Sequence, residues 1–236
     1  MGKSDHLDRL LTDYFRPEAA APGLGRRLAA GAGAGESADA LARLEQRLGI
    51  EATPAGICLV RAGRVERPAT AAARRLVERA REEIHEYFHG RRAFFHVPVD
   101  LRAVPDFQRR VLEAARDIPF GEGRPYAWIA SRIGHARAVR AVGTALGRNP
   151  VPLILPCHRV WRSDGGLGGY IFGAGVKNGL AELERTTPVL EGCTTTRIVC
   201  RVGCRHVRPE HRVVFASVQD ARSVGYRPCK LCRPAA

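Results

Sequence analysis

Apolar residues recur at helical spacing near the N-terminus: Leu7, Leu10, Leu11, Tyr14 and Phe15 share one face of Ser4–Phe15. A second stripe begins at Ser37, with Leu41, Leu44 and Leu48, and ends at Gly49. Between them Ala19–Gly35 is rich in Ala and Gly and reads as a linker. These helices either dock on the core or hang free, and nothing in them points to chemistry. From Ile50 the pattern is globular. Gly56–Val60 and the short stretch after Gly63 predict a small hairpin, with Cys58 inside its apolar run. Thr70–Phe88 predicts a helix with Leu76, Ala80, Ile84, Tyr87 and Phe88 inward, ended by Gly90. Phe94–Val99 reads as a strand. Pro105 suits the first turn of a helix that runs to about Ala115, with Phe107, Val111 and Leu112 inward.

After the turn Ile118–Gly121 come two short helical stretches, Tyr126–Ile133 and Arg137–Leu146, separated by Gly134-His135. In a basic chain that layout suggests a helix-turn-helix, although an ordinary helical hairpin has the same pattern. Val151–Leu155 predicts a buried strand stopped by Pro156, which fixes φ and removes a donor. Ser163–Gly175 holds six glycines and forms a loop able to approach a ligand or another backbone closely. Val176–Glu184 predicts the last helix of this unit, and Thr186-Thr187-Pro188 breaks the chain before the tail.

Cys157 follows Pro156 and is followed by His158 and Arg159. A thiolate is the attacking species, and a nearby imidazole or cation lowers a thiol's pKa, so Cys157 is a nucleophile candidate. A single buried cysteine is more often an inert small hydrophobe. Charge narrows the partner. The chain carries 38 Lys plus Arg against 24 Asp plus Glu, a formal +14, which suits a polyanion. No apolar run has transmembrane length and no long amphipathic basic helix stands out, so no membrane partner is expected. The N-terminus lacks a signal-peptide layout, so a cytoplasmic location is expected. Seven cysteines in a reducing compartment are not expected to form structural disulfides.

The segments IPFGEGRPYAWIA, RAVGTAL, NPVP, LPCHRV and the glycine-rich loop leading to VKNGLAELE occur in this order. With them, residues 118–184 closely resemble the catalytic domain of the O6-alkylguanine-DNA alkyltransferases, and the similarity extends weakly back to about residue 50. The resemblance implies irreversible transfer of an alkyl group from guanine O6 to Cys157, with a single turnover per molecule. It implies that Tyr126 donates to the base, that His158 takes the thiol proton through a water, and that Glu184 holds His158 in the right tautomer. Asn149 resembles the asparagine that organises the active-site turn; its alternative is a residue held extended by Pro150. The target atom lies inside a duplex, so the base must be extruded. Arg140 matches the arginine that fills the vacated stack. Small residues at Ala138, Ala141 and Gly143 would let the helix approach the groove walls, or serve only helix packing. Arg159 is expected to join the DNA contacts. Asn178-Gly179 stands where the family has bulkier helix formers, which predicts a weakened support for Glu184. Ile171-Phe172 replaces small residues at the pocket wall and leaves the alkyl size open.

Four cysteines are tightly patterned. Cys200 and Cys204 are separated by three residues, Cys229 and Cys232 by two, with 24 residues between the pairs. Paired short spacings of four thiols suit tetrahedral Zn2+. His206 and His211 are left without a ligand position. TTRIVCRVGC and GYRPCKLC resemble the zinc-binding domain of the Ada-type repair proteins, in which a zinc-bound thiolate accepts a methyl from a backbone phosphotriester. The match to that acceptor is Cys200. The alternative is a structural zinc ribbon that only grips DNA. From Cys193 to Ala236 nine Lys plus Arg face two acidic residues, half of the net charge, so either reading places the module on DNA. The order reverses the Ada type's, in which a transcriptional helix-turn-helix follows, so a self-activated transcription factor is not expected.

An α/β chain follows. Residues 1–49 form a helical extension and linker, 50–104 a small N-terminal α/β subdomain, 105–188 a helical alkyltransferase domain with the helix-turn-helix, and 193–236 a small zinc domain. A monomer acting on double-stranded DNA that carries O6-alkylguanine is expected. A non-catalytic binder of alkylated DNA and a cysteine hydrolase are the alternatives: the first predicts no mass gain on Cys157, the second many turnovers.

Overall fold

Helix α1 (Ala34–Arg47) leads into strand β1 (Leu48–Thr53), which pairs antiparallel with β2 (Gly56–Ala62) across a short turn. The chain is described by a computed structural model at residues 34–65, 68–187, 189–201, 204, 207 and 211–234. The expected helix at Ser4–Phe15 and the Ala/Gly stretch up to residue 33 lie outside the described residues. Leu48 shares the helical stripe but already belongs to β1, because Arg47 accepts from Gly63 N at 2.8 Å and turns the backbone into the sheet. The hairpin partner of Gly56–Ala62 therefore precedes it, contrary to the expectation of a partner after Gly63.

Helix α2 (Ala71–Phe88) starts where Thr70 caps it, the threonine hydroxyl accepting from Ala73 N at 3.1 Å. Its buried face carries Val77, Ala80, Ile84 and Tyr87. The expected strand at Phe94–Val99 does not form. That segment crosses the body irregularly and meets β2 only through a bridge between Val99 and Ile57. Helix α3 (Asp106–Arg116) begins after Pro105 and buries Val111 and Leu112. Strand β3 (Arg124–Pro125), helix α4 (Tyr126–Arg132) and helix α5 (Val139–Gly147) follow. The pair α4–α5 has the expected helix-turn-helix layout, with Gly134 at φ 76° in the turn.

Val151–Leu155 is fully buried but is a tight turn, not a strand; Pro152 and Leu155 bridge each other and Leu153 sits at φ 76°. Cys157–Arg159 then form one 3-10 turn, followed by β4 (Val160–Trp161) paired parallel with β3. Helix α6 (Ala174–Thr186) runs unbroken through Asn178-Gly179. The expected weakness is answered by packing. A Cβ on Gly179 would lie 2.8 Å from Ser37 O and 2.9 Å from Leu41 Cγ, so the glycine lets α1 lie directly on α6. Residues 34–47 are thus a buttress of the helix that holds Lys177 and Glu184.

Strands β5 (Leu190–Cys193), β6 (Ile198–Arg201), β7 (Arg212–Phe215) and β8 (Arg227–Pro228) form one sheet, ordered β7-β5-β6-β8, with α7 (Val218–Ser223) after β7. The C-terminal sheet begins at Leu190, three residues before the expected start of the zinc domain. A large core fills the body, and a small one of Val199, Val213, Phe215, Ala221, Val224 and Tyr226 fills the C-terminal module. Phe94 packs against both, its ring 5.5 Å from that of Phe215. Among the described residues no helix is long and apolar enough to cross a membrane.

Candidate active site and metal centre

Cys157 lies at the floor of a cavity of about 260 Å³ whose wall includes Tyr126, Gly143, Gly147, Gly169 and Ile171. The thiol is 6% exposed. Burial pushes its pKa up, opposed by a hydrogen bond from Asn149 Nδ2 at 3.1 Å and by the charge of Lys177. Asn149 also donates to Leu155 O at 2.9 Å, and its Oδ1 accepts from Val151 N at 3.0 Å. One amide therefore ties both ends of the buried turn and aims a donor at sulfur. Gly168, at φ 66°, passes so close to Tyr126 that a Cβ there would sit 2.7 Å from the phenol oxygen. The glycine-rich loop can close over the phenol only without side chains.

Behind the thiol stands a buried ionic network. His158 Nε2 lies 2.9 Å from Glu184 Oε1. The same carboxylate accepts from Tyr87 Oη at 2.7 Å, from Arg159 Nε and Nη2 at 3.0 and 2.9 Å, and from Gly121 N at 3.0 Å. Burial alone would raise the carboxyl's pKa, but Arg159 first and His158 next outweigh it and hold Glu184 well below the usual range. Burial lowers the pKa of His158, so its imidazole is neutral at rest. An anionic partner at Nε2 accepts only, which puts the ring proton on Nε2 and the lone pair on Nδ1. That Nδ1 is buried and has no hydrogen bond among the described residues.

Lys177 is a second buried cation. Its Nζ donates to Val160 O at 2.7 Å and to Leu167 O, and burial lowers its pKa to about 8. It stitches β4 to the glycine-rich loop.

In the C-terminal module the sulfurs of Cys200, Cys204, Cys229 and Cys232 all lie within 4.8 Å of one another. Sulfurs bound to tetrahedral zinc at about 2.3 Å are spaced slightly closer than this, so the set fits the ion. Arg201 N donates to Cys232 Sγ at 3.3 Å, the kind of backbone support that thiolate ligands use. His206 lies outside the described residues.

Residues 106–186 match the family described as "6-O-methylguanine DNA methyltransferase, DNA binding domain", and residues 189–235 match "Metal binding domain of Ada". The methylated-DNA–protein-cysteine methyltransferase of Mycobacterium tuberculosis (strain ATCC 25618 / H37Rv) is 47% identical over 105 residues, 44% of this chain and 63% of that protein. A probable methylated-DNA–protein-cysteine methyltransferase of Acanthamoeba polyphaga mimivirus is 43% identical over 103 residues, 43% of this chain and 68% of that protein. The chain belongs to the methylated-DNA–protein-cysteine methyltransferase family. A solved structure described as Mycobacterium tuberculosis OGT in complex with DNA aligns with a TM-score of 0.52 and 35% identity, over 59% of this chain and 86% of that one. The second match and the sulfur cluster make the C-terminal module a zinc-binding domain.

Set against the methyltransferase expectation, Cys157, His158, Glu184, Asn149 and Tyr126 converge on one cavity or on the network behind it. Arg140 and Ala141 are exposed on α5, and Ala138 and Gly143 half-buried. Arg159 is a correction: it is 3% exposed, with its guanidinium on Glu184 and on Ile118 O at 2.7 Å, so it cannot face DNA. Its charge offsets the buried carboxylate. Replacing it with methionine is expected to cost about 3–5 kcal/mol of stability, because Glu184 is left buried and undercompensated. Urea unfolding measures that loss, and the salt dependence of duplex binding should not change. Tyr87 and Lys177 were not expected at the site.

Proposed function

We propose that this chain repairs alkylated DNA by direct reversal, moving an alkyl group from guanine O6 to Cys157 in a base turned out of double-stranded DNA. The observation that carries the reading is a cavity with a thiol at its floor and a neutral imidazole, anchored by an ionised carboxylate, behind that thiol. His158 Nδ1 takes the Cys157 proton through a water, which the buried, unpartnered nitrogen is suited to hold. The sulfur then bonds to the alkyl carbon as the carbon–O6 bond breaks. The electron pair goes to the guanine ring, and Tyr126 donates a hydrogen bond or proton to it. The thioether has no base or nucleophile to reverse it, so one chain performs one transfer.

The electrostatic part falls to the arginines of the helix-turn-helix. Arg137, Arg140 and Arg148 are exposed around α5, suited to phosphates and to the gap left by the extruded base. The zinc module adds basic surface. Zinc, when bound, keeps coordinated thiols anionic. Cys200 is fully buried, whereas Cys204 and Cys232 are half-buried. Methyl acceptance at Cys200 therefore requires its cover to open, and binding duplex is the module's role in this reading. The protein acts as a cytoplasmic monomer.

Peptide mass spectrometry after incubation with duplex DNA containing O6-methylguanine tests the proposal: one methyl per chain, on Cys157. Many turnovers, or no mass gain with tight binding, would overturn it. Arg140→Ala is expected to slow repair of duplex by about tenfold to a hundredfold, the few kcal/mol of unpairing that the guanidinium offsets. Reaction with the free modified base should change less than about twofold on the same reasoning. Equal losses on both substrates would remove Arg140 from base extrusion.

A further inference from the structure

Away from the thiol cavity and the zinc domain, one more set of metal-ligating side chains converges among the described residues. Glu45, His85 and His89 offer three donor atoms, one from each, within 4.8 Å of one another. Two helices build the set. Glu45 lies in the last turns of α1, His85 in the last turn of α2, and His89 is the residue that caps α2. The histidines are four apart, so they share one face, and their ring centroids are 4.1 Å apart.

The hydrogen bonds already present prepare the rings. His89 Nδ1 lies 2.8 Å from the backbone oxygen of His85. A carbonyl only accepts, so Nδ1 carries the proton and Nε2 presents its lone pair outward. This is the arrangement that fixes the tautomer of metal-bound imidazoles. His85 Nδ1 and Glu45 Oε1 are 2.8 Å apart and share one proton. With the ring proton moved to His85 Nε2, an ion can be held by both atoms, since ligands on a tetrahedral cation sit only slightly farther apart. Two imidazoles and one carboxylate with a position left for water suit a borderline divalent ion.

We propose that Glu45, His85 and His89 form a second metal site, for a divalent cation of the zinc type. Binding moves the His85 ring proton from Nδ1 to Nε2 and joins α1 to α2. Because α1 also lies on α6 through Gly179, the ion secures the helix that carries Lys177 and Glu184 from behind. The site is structural and independent of the repair reading.

Titration of the full chain with Co2+ separates the two centres, since only the four-cysteine centre gives a sulfur-to-cobalt charge-transfer band. Two equivalents are expected, the weaker without that band. His89→Ala and Glu45→Gln should each weaken the second equivalent by about tenfold or more and leave the thiolate band intact. Both residues lie at the surface or half-buried, so the fold tolerates the changes. With Zn2+ in place of Co2+, the wild type should gain melting temperature from the second equivalent and the variants should not. A wild type that takes up one equivalent only, or a second equivalent of unchanged affinity in His89→Ala, overturns the site.

Discussion

Cys157→Ala is expected to abolish methyl transfer from O6-methylguanine while leaving affinity for duplex DNA within about twofold, because the phosphate contacts that dominate such affinity are elsewhere. The substitution removes the attacking atom and keeps the rest of the cavity. Neither described cation nearby replaces it: His158 and Lys177 are held by Glu184 and by backbone carbonyls, and neither forms the stable thioether that would make the proposed reaction irreversible. Mass spectrometry of the intact variant should show no added methyl. A methyl found on the Cys200 peptide would assign acceptor chemistry to the zinc module. The wild-type rate should also report the network. Burial raises the Cys157 pKa and lowers that of His158, so the neutral thiol and neutral imidazole coexist across neutral pH. The rate should stay level there. It should fall only at acid pH, below the ordinary histidine range, as His158 takes up a proton and can no longer act as the base.

What could be read from the sequence follows from how local each feature is. Cys157 and His158 are adjacent, and Tyr126 opens a helix with a clear periodic pattern, so their place near one another was legible. Arg159 was not. A basic residue beside a nucleophile in a chain of this charge suggests a phosphate contact, and nothing local shows that Glu184 arrives beside it 25 residues later. Lys177 carries a signal in the sequence: Lys177, Leu180 and Glu184 recur at helical spacing, so a buried Glu184 implies a buried Lys177. Tyr87 had a fainter one. A tyrosine on an apolar helical stripe needs a partner for its hydroxyl, and the partner proved to be Glu184. Val151–Leu155 and Phe94–Val99, which the sequence pattern predicts as strands, are apolar for a tertiary reason. Val151–Leu155 is buried and Phe94–Val99 is buried or half-buried except at Pro98, but among the described residues neither extends beyond an isolated bridge into a ladder.

Removing zinc is expected to unfold the C-terminal module and spare the body. Among the described residues the module's own apolar cluster has six buried members, too few to order some forty residues unaided. Zinc binding in such domains is worth on the order of 10–16 kcal/mol, at or above the whole stability of a typical domain. Its loss cannot be absorbed. Chelation, or Cys229→Ser, should therefore strip hydrogen-exchange protection from β5, β6 and β7 while α2 through α6 keep theirs. The seam between the two parts should loosen as well. Asp220 Oδ2 accepts from Ala93 N at 3.2 Å and from Ala216 N at 3.1 Å, and Phe94 lies against Phe215. Amides near Arg92 and Ala93 should exchange faster, although they belong to the body. Transfer to Cys157 should survive, since among the described residues the side-chain partners of His158 and Glu184 come from residues 87–184. Duplex binding should weaken and lose part of its salt dependence as the basic module is no longer presented in one geometry. Full protection in β5–β7 after complete zinc removal would instead mean that the sheet stands without its metal.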